Sequence, residues 1–104
     1  MILVYITCTD IAEARSIAQT VVTEKLAACA NIFPQIHSIY HWENKLCESN
    51  EAVLILKTLE TNYKKLAERI KELHSYDCPC IITLDVKEVN TEYLSWITES
   101  LNIL

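Results

Sequence analysis

With 104 residues, 51% of them apolar, the chain has the length of one domain and enough apolar surface for a single two-layer core. Its net charge of −5 comes from acids scattered along the chain, and the longest basic run is Lys64-Lys65, which excludes the concentrated basic face that nucleic-acid binding needs. No apolar stretch approaches the ~20 residues of a membrane span, and the chain holds no glycine, which excludes Rossmann, P-loop and nucleophile-elbow chemistry.

The expectation is a soluble, unsecreted, cytoplasmic protein forming one domain over residues 1–104, because Met1-Ile2-Leu3 leads straight into a strand without a basic leader. Five cysteines, an odd number, fit free thiols in a reducing compartment rather than a disulfide framework.

In chain order, the β-rich run Ile2 to Cys8 is nearly all apolar and reads as a central strand buried on both faces. Asp10 caps a helix, with Glu13 placed to answer it in a capping box, and Ala14, Ile17, Ala18, Val21 and Val22 follow at helical spacing. Cys29 to Trp42 reads as a long strand, with Ile32, Ile36, Tyr40 and Trp42 on one side and Phe33 and Ile39 on the other. Pro34 cannot donate a ladder hydrogen bond, so a bulge or an edge position is expected there.

Glu43-Asn44-Lys45 reads as a tight reversal, since asparagine tolerates positive φ, and Glu51 to Thr58 as the returning strand, apolar on both faces and central in the sheet. Thr61 or Asn62 caps a second helix whose face is Tyr63, Leu66, Ile70 and Leu73, and Asp77-Cys78-Pro79 ends the connection after it. Cys80 to Val86 is the last strand. Asn90 or Thr91 caps a final helix with Leu94, Ile97 and Leu101 inward and Trp96 beside them.

The order βαββαβ plus a closing helix is that of an α+β, ferredoxin-like split-βαβ sandwich with an antiparallel sheet. The two strands joined at Asn44 are too long for the sheet they share, so the hairpin should overhang. Its end carries Ile39, Tyr40, Trp42 and Leu46, which a second copy of the chain would cover.

Five stretches, in order and in spacing, resemble the CutA family of divalent-cation-tolerance proteins. They are Glu24-Lys25-Leu26-Ala27-Ala28-Cys29-Ala30-Asn31-Ile32 leading into Pro34, Ser38-Ile39-Tyr40-His41-Trp42 with Lys45 after the turn, Leu56-Lys57-Thr58, His74-Ser75-Tyr76 with Pro79, and Tyr93-Leu94-Ser95-Trp96-Ile97. The resemblance implies a ferredoxin-like protomer, a homotrimer with interlocking hairpins similar to that of PII signal proteins, and a non-enzymatic role in tolerance to copper and other divalent metals without an organic cofactor. Two departures stand out: Asn44 replaces the family's turn glycine, and Pro79-Cys80 stands where the family has proline followed by glutamate.

Cys78-Pro79-Cys80 carries the most suggestive local chemistry. Two thiols two residues apart on an extended segment point to one side and can grip one soft ion, Cu(I) better than Zn(II), or they can simply pack as small hydrophobes. Cys29 is a further thiol, with burial the competing reading, while Cys8 and Cys47 have weaker claims. His74 closes the second helix, where imidazole either binds metal or caps the helix; the resemblance links this position to copper. His37 and His41 share a facing on the long strand.

The resemblance also groups Tyr40, Trp42, Glu51, Lys57 and Tyr76 as the lining of an inter-subunit cleft, where a lysine beside aromatics would hold a small anionic ligand, or else form a structural ion pair. The expected partners are thus two further copies of the chain and a metal ion, with neither nucleic acid nor membrane. An alternative is a PII-like sensor of an anion or a protein partner. An acylphosphatase is disfavoured, because Arg15 and Arg69 both fall on helices and no phosphate loop surrounds them.

Overall fold

A computed structural model describes residues 1–102; the last two residues of the expected domain, Ile103 and Leu104, lie outside the described residues. The elements are β1 (Ile2–Cys8), α1 (Ile11–Thr23), β2 (Cys29–Trp42), β3 (Lys45–Thr58), α2 (Tyr63–Leu73), β4 (Ile81–Asp85) and α3 (Thr91–Leu101), with a 3-10 turn at Glu60–Asn62 before α2. The strands form one sheet in the order β2-β3-β1-β4 with every neighbouring pair antiparallel, the split-βαβ arrangement expected from the element order.

The core lies on one face of this sheet. Ile2, Val4, Ile6 and Cys8 of β1 sit opposite Thr58, Leu56, Leu54 and Ala52 of β3, and all are buried under Ala14, Ile17 and Val21 of α1 and Leu66 and Ile70 of α2. Each such leucine or isoleucine contributes about 1.5–3 kcal/mol by leaving water. The expectation that β1 is buried on both faces is corrected: Leu3, Tyr5 and Thr7 are only half-buried, because α1 and α2 cover one face alone. On the other face α3 meets the sheet at its end, where Lys57 Nζ donates to Tyr93 Oη at 3.3 Å.

Local chemistry sets the element ends. Asp10 caps α1 by accepting from the Glu13 amide at 2.8 Å, while the Glu13 carboxylate accepts from the Thr9 amide, one residue before the partner a capping box would use. At the other end of α1, Lys25 adopts φ 60°, and the amides of Lys25 and Leu26 close a Schellman motif on the carbonyls of Val22 and Val21. Asn62 precedes α2 but does not cap it. Its side chain donates to Thr58 Oγ1 instead.

The β2–β3 hairpin turns through Glu43 and Asn44 at φ 50° and 63°, the positive pair of a type I′ turn. β3 begins at Lys45 rather than at the expected Glu51, because pairing with β2 continues to the turn although β1 reaches only Ala52. The hairpin therefore overhangs, as expected. The ladder slips by one residue between Phe33 and Ile36, around Pro34. That bulge corrects the facing of β2: Phe33 shares the side of Ile36, Tyr40 and Trp42, while Ile32 shares that of Ile39. β4 is shorter than expected, Ile81–Asp85, leaving Cys80 just outside the ladder. Of the α3 face, Ile97 and Leu101 are buried, while Leu94 is half-buried and Trp96 stays exposed.

Among the described residues no helix is long and apolar enough to cross a membrane. Phe33, Ile82 and Leu84 remain exposed on the sheet face that α1 and α2 leave open, as do Ile39, Trp42 and Leu46 on the overhang.

Candidate functional site

Where β1 ends, the hairpin leaves the sheet and the connection from α2 to β4 folds back beside it. Thr7, Glu51, Tyr40, Trp42, Tyr76, Asp77, Cys78 and Cys80 there line an open cleft of about 390 Å³. Tyr76 Oη donates to Glu51 Oε2 at 2.7 Å, which ties the connection to β3, and Tyr40 Oη lies 3.4 Å from Ser49 Oγ. Burial and the neighbouring Glu51 carboxylate push the Tyr76 hydroxyl well above its ordinary range, so it stays a donor. The lining holds two carboxylates and two thiols and, among the described residues, no basic side chain.

A second cluster lies on the helix side of the same strand end. His74 is buried, and its Nε2 donates to the Thr7 carbonyl at 2.8 Å, which leaves Nδ1 to accept the Tyr76 amide at 3.1 Å. Its ring packs against Tyr76 with centroids 4.7 Å apart. Glu13 accepts from the amides of Thr9 and Ser75, both at 2.9 Å, and its Oε1 lies 3.9 Å from His74 Nδ1. Burial would raise the Glu13 carboxyl, but the hydrogen bonds of Ser75 and Thr9 hold it below its ordinary value. The Cys8 thiol is pushed up to about 12 by burial first, then by the charges of Glu13, Glu51 and Asp10.

One donor atom from each of Cys8, Glu13 and His74 lies within 4.8 Å of the others, a mixed sulfur, oxygen and nitrogen set that suits a borderline ion such as Zn(II) or copper. As it stands the set is closed upon itself. An ion would have to take Nδ1 from the Tyr76 amide and the proton from Cys8.

The cleft gathers Tyr40, Trp42, Glu51, Tyr76, Cys78 and Cys80 of the expected residues. Lys57 is not among its lining: its ammonium lies 5.4 Å from the Tyr93 ring centroid, towards α3. Cys29 pairs with Lys57 at the opposite end of β2 from Tyr40 and Trp42. His74 turns to the helix side and caps neither end of α2 with its side chain. His37 and His41 share a face but stand apart, His37 being held by Glu48 at 2.9 Å and Asn50 at 3.3 Å. The thiols, the imidazole and Cys29 therefore do not form one ligand set.

The profile of the CutA1 divalent ion tolerance protein family matches residues 2–100. The chain belongs to this family. It is 46% identical over 99 residues to the divalent-cation tolerance protein CutA of Pyrococcus horikoshii, covering 95% of this chain and 96% of that one. It is 41% identical over 99 residues to the chloroplastic Protein CutA 1 of Oryza sativa, covering 95% of this chain and 56% of the relative. Among solved structures it resembles CutA1 from Pyrococcus horikoshii, with TM-score 0.92 and 45% identity over 96% of this chain and 97% of that one. It also resembles CutA from Archaeoglobus fulgidus, described as a periplasmic divalent cation tolerance protein, with TM-score 0.95 and 36% identity over 98% and 100%. Family and α+β fold are thus as the sequence implied.

Within this CutA fold, Thr7, Glu13 and Asp77 are the residues of the cleft and of the second cluster that sequence reasoning passed over. The capping pattern at Asp10 carried a signal for Glu13, since it places that carboxylate beside the end of β1 and hence beside Cys8. Nothing local marked Asp77, which joins the cleft only because the connection folds against the hairpin.

Proposed function

We propose that this CutA-family chain is a non-enzymatic, homotrimeric protein of divalent-cation tolerance that takes up a metal ion at the cleft, with Cys78 and Cys80 as thiol donors. The carrying observation is that two thiols and the carboxylates of Glu51 and Asp77 open onto one cleft whose described lining has no basic side chain to repel a cation. Copper, in the cuprous state that thiolates favour, suits the thiol pair best. The relatives' names, which speak of divalent-cation tolerance, support the role. The non-enzymatic reading is supported by Arg69, which donates to Glu24 and Glu72 on the helix surface rather than to a phosphate loop. The trimer is supported by the uncovered apolar side chains of the open sheet face and the overhanging hairpin. The five free cysteines suit residence in a reducing cytoplasm.

Anaerobic titration of the reduced protein with Cu(I) against a competing chelator tests the site. A stoichiometric affinity that collapses in a Cys78→Ser, Cys80→Ser variant supports it; affinity retained there but lost on Cys8→Ser moves the ion to the second cluster, where the convergence of Cys8, Glu13 and His74 favours that reading. Light scattering at micromolar concentration tests the assembly, and a single-chain mass overturns the trimer. A PII-like anion sensor is the weaker alternative, because Lys57, the cation it would use, points to Tyr93.

A further inference from the structure

We propose that Tyr76 is the positioning residue of the thiol pair: by tying the α2–β4 connection to β3 through its hydroxyl, it sets how Cys78 and Cys80 are presented to one ion. The inference rests on the proposed metal site at those two thiols and names the residue on which the geometry of that site depends.

Cys78 and Cys80 belong to neither helix nor strand. They lie between the end of α2 at Leu73 and the first residue of β4, Ile81, which pairs with Ile6 of β1. Such a segment has no helical or ladder bonds to fix it, so its shape is set by its two ends and by its own backbone limits. The far end is the ladder at Ile81. The near end is Tyr76, whose amide donates to His74 Nδ1 at 3.1 Å, whose ring packs on the His74 ring with centroids 4.7 Å apart, and whose hydroxyl donates to Glu51 Oε2 at 2.7 Å. Both supports are themselves fixed: His74 is buried with Nε2 on the Thr7 carbonyl, and Glu51 stands in the β2–β3 ladder opposite Ile36. Only Asp77, Cys78, Pro79 and Cys80 span the distance between the two anchors, and Pro79 restricts both its own φ and the backbone of Cys78. Of the three ties on Tyr76, the amide and the ring both end on His74, two residues earlier, and the hydroxyl bond is the one that reaches β3. Removing it leaves the thiols fixed to their own helix end but not to the strand across the cleft. All these contacts lie within one chain, so they do not depend on what covers the cleft. Two thiols bind one ion tightly only when their directions are fixed beforehand, because freedom lost on binding subtracts from affinity.

The test uses the full reduced protein in the assembly it forms. Tyr76→Phe keeps the ring and the amide and removes only Oη. In the metal-free protein, backbone ¹⁵N order parameters of Asp77, Cys78 and Cys80 should fall from about 0.85 to below about 0.6, with α2 and β4 unchanged. In titration against a competing chelator, Cu(I) affinity should fall by about tenfold, the loss expected when a bond to a charged acceptor no longer organises the site. Glu51→Gln, which retains an acceptor for the hydroxyl, should keep the segment rigid, whereas Glu51→Ala should loosen it as Tyr76→Phe does. Adding Tyr76→Phe to Glu51→Ala should then lower Cu(I) affinity no further. A segment that stays rigid in Tyr76→Phe overturns the proposal. So does a loosened segment with unchanged Cu(I) affinity, since the bond would then be merely structural, and so does loosening that spreads through α2 and β4 in both Tyr76→Phe and Glu51→Ala. A native chain that takes no Cu(I) defeats the metal site instead; loosening of Asp77 to Cys80 in Tyr76→Phe would still support its hold on the thiols, and rigidity would still refute it.

Discussion

Cys8 and Cys78 lie close in the fold yet should behave as different reagents. Cys8 is buried and its thiol pushed up to about 12, so at neutral pH it carries almost no thiolate, whereas Cys78 is exposed. Brief iodoacetamide treatment of the native protein followed by peptide mass mapping should therefore label Cys78 and spare Cys8; equal labelling would mean that the strand end opens readily. Glu13 links stability to pH. Its folded value lies below the ordinary 4.5, so its contribution is present above that value and is lost as pH falls through the folded one. Glu13→Gln should lower the urea midpoint at pH 7, and the gap to the unsubstituted chain should narrow towards pH 3. His74→Ala would strand the Thr7 carbonyl and the Tyr76 amide and leave a cavity, costing about 2–4 kcal/mol by denaturant unfolding. At this scale the sequence singles out His74 and the thiols but does not show that they part company. Which side of a strand end a residue takes depends on how the α2–β4 connection closes, and nothing within a few residues of His74 sets that.

The elements were more legible because their signals are local. Asp10 at a helix start, Pro34 in a strand and Asn44 in a turn each act through their own backbone chemistry, and each does so here. At Pro34 the sequence offers a bulge or an edge position, but not the consequence of the bulge: one extra residue reverses the facing of all that follows, so the side of Phe33 is known only once the register with β3 is fixed. A chain without glycine also fills its left-handed positions with other residues, namely Lys25, Glu43 and Asn44. Left-handed backbone costs an ordinary L-residue about 1–2 kcal/mol, less for asparagine, set against glycine's greater freedom when unfolded. Replacing Lys25 or Glu43 by Gly should thus raise stability by roughly 0.5–1 kcal/mol, and Asn44→Gly by less. Equal gains at all three positions in denaturant unfolding would refute this account of asparagine at the turn.

For the whole molecule, the open sheet face is the surface on which the proposed trimer depends. Ile82 and Leu84 of β4 are about half exposed, and Phe33 of β2 more so, on the side that no α1 or α2 residue covers. Leu84→Glu would place a charge in the middle of the face that the proposed trimer covers, so light scattering should show single chains at micromolar concentration, while a Lys64→Glu control on exposed α2 leaves the mass unchanged. The sequence by itself determined the element order, the α+β class, the overhanging hairpin and the family, because hydrophobic period, capping residues and turn chemistry act over a few residues and the matching stretches span the chain. Only the tertiary structure decided that Lys57 leaves the cleft for Tyr93, that Cys29 sits at the far end of β2, and that Cys8, Glu13 and His74 converge behind Tyr76. Those placements follow from strand register and from the closure of one connection, and both are set by packing between segments far apart in the chain.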